Sequence, residues 1–164
     1  MNEMKRMLSF VRRAVDDYGM IDEGDRIAVG ISGGKDSLTL LAVMAALGRF
    51  YPKKFEVVGI TVDMGFEGSD YSSVEEYCRT LGVEYKVVKT EIAKIIFDVR
   101  KESNPCSLCA KMRRGSLHAA AQESGCNKVA LGHHYDDAVE TFMMNLFFEG
   151  RLGCFSPVTY LSNT

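Results

Sequence analysis

No stretch of this chain is apolar for long enough to cross a bilayer. The longest such run, residues 40–47, falls far short of the roughly 20 residues a spanning helix needs. The first residues scatter charge among apolar positions, so a secretory leader is not expected. Neither sign of charge dominates, with 20 lysines and arginines against 22 aspartates and glutamates. The molecule as a whole therefore offers no strong field to nucleic acid, and any such contact must come from local patches. Internal repeats and low-complexity tracts are also missing. Cysteines number five, an odd count that, without an export signal, points to a reducing compartment. Thiol or metal chemistry is expected rather than structural disulfides, and the cytoplasm is the expected location. With 46% apolar and 26% charged residues in 164, the composition is that of one soluble domain with a real core.

What is present alternates. Met4, Met7, Leu8, Val11 and Val15 recur at helical spacing over residues 1–18. The polar face of that segment holds Lys5, Arg6, Arg12 and Arg13, either simply solvated or facing nucleic acid. Strands are predicted at residues 26–31, 55–62, 83–88 and 127–132, rich in β-branched residues. Helices are predicted from Leu38, from Ser69 or Asp70 to a stop at Gly82, and from a Thr90 cap through Ile96. Two more are predicted from about Ser107 to Gly125 and over residues 136–148. Residues 100–105 read as a loop, because Asn104 precedes a proline. Strands alternating with helices imply an α/β fold, a parallel sheet with helices on both faces. Ligands of such sheets bind beyond the carboxyl ends of the strands. The loops after Ile31, Val62 and Gly132 should therefore meet. The expected division is an N-terminal helix (1–24), the nucleotide domain (25–152) and the start of a truncated C-terminal region (153–164).

The first of those loops reads Ser32-Gly33-Gly34-Lys35-Asp36-Ser37. A strand ends, two glycines let the backbone turn without a Cβ in the way, and a helix begins. Amide groups at a helix start, the positive dipole end and a lysine make an anion site, with nucleotide phosphate the expected guest. It is not the common phosphate loop, which needs glycine, four residues and Gly-Lys-Ser/Thr; Val29 stands five before Gly34 and Asp36 follows the lysine. The loop resembles the SGGxDS loop of ATP-pyrophosphatases, which cleave ATP to AMP and pyrophosphate while adenylating a substrate.

Gly132-His133-His134-Tyr135-Asp136-Asp137 follows the fourth strand. Carboxylates at a helix start complement its dipole; beside a triphosphate they also suit magnesium. The histidines either donate to phosphate or sugar or lie on the surface. Cys106-Ser107-Leu108-Cys109 at a helix N-terminus suits redox work or metal ligation. A four-cysteine zinc site would need a second pair, which the chain lacks; iron–sulfur clusters also take cysteine thiolates. Cys78 and Cys126 are expected in or beside the core. Lys94, Arg100, Lys101, Lys111, Arg113 and Arg114 make the surrounding stretch basic, against Asp98 and Glu102. It is either a phosphate-backbone contact, which Arg151 extends, or ordinary solvated charge.

Together, residues 32–37, 106–141 and 145–152 resemble the tRNA 2-thiocytidine synthetase family of PP-loop ATP-pyrophosphatases. The resemblance implies an adenine-nucleotide α-hydrolase-like, Rossmann-like fold. It also implies a cytoplasmic enzyme that adenylates the C2 oxygen of an anticodon-loop cytidine and replaces it with sulfur. Under it, Ser32, Gly33, Gly34 and Ser37 cradle pyrophosphate, and Lys35 neutralises charge at the scissile phosphates. Asp36 and Asp137 contact magnesium; Thr61, Asp63, Gly132 and His133 meet the adenosine. Cys106 and Cys109 hold an oxygen-sensitive [4Fe–4S] cluster, conditional on a third cysteine that family members carry in a later Cys-x-x-Cys. Implied partners are tRNA, a sulfur donor such as a cysteine desulfurase, and a second copy in a homodimer, with no membrane. The alternatives keep the adenylation but change the nucleophile, as in a lysidine-type tRNA ligase or an amidotransferase, or drop turnover for a nucleotide- or metal-binding module.

Overall fold

Alternation within the first strand decides the architecture. In β1 (Asp25–Gly30), Ile27 and Val29 belong to one buried cluster and Ala28 to another. A strand buried on both sides needs a layer of helices on each face. A computed structural model describes residues 3–100 and 105–160 and shows that arrangement. The four strands, β1, β2 (Phe55–Asp63), β3 (Glu84–Lys89) and β4 (Lys128–Ala130), are all parallel, in the order β3-β2-β1-β4. Ile27 pairs with Val57 on one side and Lys128 on the other. One face carries α1 (Glu3–Asp17), α2 (Lys35–Leu47) and α3 (Ser72–Leu81), whose Val15, Leu41, Met44, Leu47, Val74 and Cys78 pack with Ile27 and Val29. The other carries α5 (Pro105–Glu123), whose Leu117, Ala120 and Ala121 pack on Ala28, Val58 and Ile60. Cys78 and Cys126 are both buried, as expected, and burial raises both thiol pKa values.

Element boundaries depart from expectation in instructive places. α2 starts at Lys35, three residues early, so Lys35 and Asp36 lie in its first turn. α3 starts at Ser72, where the Asp70 carboxylate accepts the Ser72 N–H at 2.9 Å. The short helix α4 (Ile92–Lys94) opens after Glu91, and the Thr90 hydroxyl both accepts the Ile92 N–H at 3.4 Å and donates to the Asp63 carbonyl at 2.7 Å. A π-helical turn, Ile95–Arg100, continues α4. The expected loop at 100–105 falls mainly on residues outside those described, but α5 already begins at Pro105. Proline is well suited to a first helical position, where its missing N–H costs nothing. β4 is only three residues long and, as an edge strand, pairs with β1 alone. The last helix, α6 (Tyr135–Met144), ends in a second π-helical turn, Asn145–Glu149, stopped by Gly150 in the left-handed region. Among the described residues no helix is long and apolar enough to cross a membrane.

The end of the sheet away from the cleft is tied by polar side chains. Buried Asp25 accepts from the Asp22 N–H (2.6 Å), from Asn127 Nδ2 (2.7 Å) and from Lys128 Nζ (2.7 Å). Burial alone would raise the Asp25 pKa, but these donors together outweigh it and leave the carboxyl below its usual range. A folded-state pKa below the unfolded one stabilises the protein above the unfolded value, and that stability is lost as pH falls through the folded one. Asp25→Asn should therefore lower unfolding stability at neutral pH by about 2 kcal/mol and flatten the acid limb of the stability profile. Urea titrations from pH 7 down to pH 3 would check it; an unchanged acid limb would contradict it.

Candidate nucleotide site

The order β3-β2-β1-β4 puts a topological switch point between β1 and β4, where the chain leaves β1 in opposite directions. Crevices of open α/β sheets lie there. A cleft of about 450 Å³ opens at this point, lined from the loop after β1, the end of β2, the turn after β4 and the inner side of α5. Pockets of this size hold small cofactors and nucleotides. The meeting of the three predicted loops is thus observed.

Local chemistry shapes the first loop. Gly33 sits at φ +81°, where no Cβ is tolerated cheaply, and the space beside it is open. Ser37, nearly buried, donates its hydroxyl to the Gly34 carbonyl at 2.9 Å and accepts the Ser32 N–H at 3.2 Å. The serine at the far end therefore closes the loop on itself. Gly132 meets this loop from β4: a Cβ there would lie 3.0 Å from Asp36 C and from Ser37 N. The two loops touch backbone to backbone, so closely that any side chain at 132 would have to push the neighbouring backbone back by a few tenths of an ångström.

Charge gathers at the cleft's edge. Lys35 Nζ bonds both oxygens of Asp36, at 2.9 and 3.1 Å. That bond raises the lysine's pKa and lowers the aspartate's. His134 Nε2 stands 4.0 Å from Asp36 Oδ1, and His134 Nδ1 3.5 Å from Asp137 Oδ2. Asp137 also accepts the His134 N–H at 2.7 Å, capping α6. The imidazole of His134 thus stands between the two carboxylates expected to meet magnesium.

Of the residues singled out from the sequence, Ser32, Gly34, Asp36, Ser37, Thr61, Gly132, His133 and Asp137 line the cleft. Gly33 and Lys35 lie in the same loop without lining it. Asp63 is not brought in. Its carboxylate accepts the Gly65 N–H at 2.9 Å and its carbonyl takes two bonds from Thr90, so it holds a turn. Thr61 is buried and accepts the Tyr85 hydroxyl at 2.9 Å. Cys106 and Cys109 also stand outside the lining, on the first turn of α5; Cys106 is exposed and Cys109 half-buried. Cys109 is nevertheless tied to the cleft, because its thiol donates to Met64 Sδ at 3.8 Å and Met64 lines it. Met64, Phe66, Tyr71 and Arg113 are lining residues the sequence did not reveal as such. Arg113 belongs to the basic stretch and stands four residues after Cys109, one helical turn along α5. His133 stacks at 5.3 Å on Phe155, a tail residue.

Glycine-rich loop, switch-point cleft and acidic helix start are the features of a PP-loop, and a profile of the PP-loop domain matches residues 4–155. The chain belongs to the PP-loop domain family. It is 46% identical over 154 residues to the tRNA-cytidine(32) 2-sulfurtransferases of Geotalea daltonii and Geobacter sulfurreducens, covering 93% of this chain and 61% and 60% of theirs. It therefore spans about three-fifths of the curated relatives it matches. Among solved structures, the U34-tRNA thiolase NcsA from Methanococcus maripaludis, with its [4Fe–4S] cluster, superposes with a TM-score of 0.73 at 28% identity, over 90% of this chain and 51% of that one. An NAD+ synthetase from Burkholderia pseudomallei, 17% identical with a TM-score of 0.53 over 84% of this chain and 64% of its own, shares the fold. In this PP-loop domain Cys109 stands one side chain, Met64, from the cleft.

Proposed function

We propose that this PP-loop domain adenylates a tRNA cytidine with ATP so that sulfur can replace its C2 oxygen. One observation carries the proposal above others: Met64 joins the ATP-type cleft directly to a Cys-x-x-Cys. Adenylation with another nucleophile would leave that thiol pair without a task. Similarity to the cytidine sulfurtransferases supports the choice of base.

ATP enters with its β and γ phosphates over the amides of Ser32–Ser37, where Gly33 and Gly34 allow close approach. Phosphate competes Lys35 away from Asp36, since a triphosphate offers the ammonium more charge than one carboxylate does. Asp36, so released, and Asp137 would hold magnesium, which would supply further charge neutralisation at the phosphates. Thr61, Gly132 and His133 form the nucleoside end of the cleft. The cytidine C2 oxygen attacks the α-phosphorus, the bond to the bridging α–β oxygen breaks, and pyrophosphate leaves with its charge neutralised by Lys35. Sulfide-level sulfur then adds at C2, the C2–O bond breaks, and AMP departs carrying the base's former oxygen. The sulfur comes from a donor such as a cysteine desulfurase, whose persulfide sulfur a dithiol reductant brings to the sulfide level, the reductant leaving as its disulfide.

Cys106 and Cys109 fit a soft-metal or iron–sulfur group, being two adjacent thiols on an accessible first helical turn. Such a group supplies a bound sulfur when present. A cluster usually takes more than two protein thiolates, and no third candidate ligand joins the pair among the described residues. Cys78 and Cys126 are buried in separate apolar clusters. A further ligand would have to come from elsewhere.

Pyrophosphate release tests the reading: it should require both ATP and tRNA, and AMP should match it mole for mole. Release of ADP and phosphate, or turnover indifferent to tRNA, would contradict it. Arg113 lines the same cleft as the phosphate loop. Arg113→Ala should weaken ATP binding about tenfold, the loss of one charge-assisted bond, measured by titration calorimetry; unchanged affinity would remove Arg113 from the phosphate site.

A further inference from the structure

The turn that ends β2 serves two neighbours at once. Met64 and Phe66 both line the nucleotide cleft. On their other side, the Cys109 thiol contacts Met64 Sδ at 3.8 Å, and the Phe66 ring lies 6.4 Å from that of Phe97, in the π-helical turn ahead of the cysteines.

The turn's backbone is held rigidly. The Met64 carbonyl accepts the Ala93 N–H at 2.8 Å, and the Asp63 carbonyl accepts both the N–H and hydroxyl of Thr90. Gly65, at φ +83°, passes so close to Thr90 that a Cβ would lie 2.6 Å from its carbonyl oxygen. With the backbone pinned, Met64 has only its side chain to move. That side chain is flexible and polarizable, and it fills irregular gaps well.

We infer that Met64 is a positioning residue: its side chain is the movable partition between the nucleotide cleft and Cys109, and it sets the thiol's exposure according to whether the cleft is filled. This rests on the cleft being an ATP site. The 3.8 Å contact is the shielding position; with the cleft open the Met64 side chain is free to leave it, and Cys109 then reacts. With nucleotide present, the thioether is pressed against the thiol and shields it. The role is one of packing, so a residue of similar volume should perform it without sulfur.

Alkylation of the apo chain with iodoacetamide, quantified at Cys109 by peptide mass spectrometry with and without a non-hydrolysable ATP analogue, tests this. In the wild type the analogue should slow Cys109 alkylation while leaving Cys106 alkylation unchanged. Met64→Ala, alkylated at an analogue concentration that calorimetry shows to saturate that variant, should lose the protection at Cys109, and Met64→Leu at its own saturating concentration should restore it. Equal protection in wild type and Met64→Ala, or a Met64→Leu that behaves like alanine, would overturn the inference. Failure of the wild-type chain to bind the analogue at all would instead count against the ATP site on which it rests.

Discussion

Gly132→Val is expected to cut ATP-dependent pyrophosphate release by on the order of a hundredfold or more, because displacements near 1 Å in a reacting geometry have that effect. Gly132 is not one of the glycines held at positive φ, so the backbone itself tolerates a side chain. The obstacle is a wall. Even a single Cβ would stand 3.0 Å from Asp36 C and Ser37 N and 3.1 Å from Asp36 O. Those are backbone atoms at the start of α2 and cannot rotate aside. The helix start must shift, and with it the amides of the phosphate loop, the Ser37 bond to Gly34 and the Lys35–Asp36 pair. Ser37 is buried and α2 carries core residues, so the melting temperature should fall as well, by less than the loss of turnover. Pyrophosphate release measured beside a melting curve separates the two effects. Retained turnover would mean that the contact between the loops after β1 and β4 does not shape the site.

The second large effect is expected at the thiols. Cys106→Ala should reduce tRNA thiolation to background while ATP affinity stays within about twofold, as for sites that share no partner. Cys106 is exposed, lies outside the cleft lining and makes no bond that shapes the phosphate loop. Nucleoside mass spectrometry alongside nucleotide titration would read both quantities. Thiolation that persists in Cys106→Ala would take the cysteine pair out of the chemistry.

Much of the fold was legible because it is written in short-range pattern. The alternation of Ile27, Ala28 and Val29, the doubled glycine after Ile31 and the stops at Gly82 and Gly125 each act within a few residues. The same holds for the site residues that sit on those loops, Ser32, Gly34, Ser37 and Gly132. Residues that enter the cleft by packing were not legible. Arg113 arrives because α5 lies across the sheet; Met64 and Phe66 arrive because Thr90 and Gly65 fold the end of β2 back. Asp63 shows the converse. It was expected to meet the adenosine through its backbone, yet its carbonyl accepts both the N–H and the hydroxyl of Thr90. The π-helical turns after α4 and α6 carry no compositional sign, since their ring size depends on what packs beside them.

The account stands most directly on what happens to cytidine. Protein incubated anaerobically with tRNA, ATP, magnesium and a sulfide source should yield 2-thiocytidine in the digested tRNA, in step with AMP and pyrophosphate. ATP consumed with no 2-thiocytidine formed, or with a different modified nucleoside in its place, would contradict it.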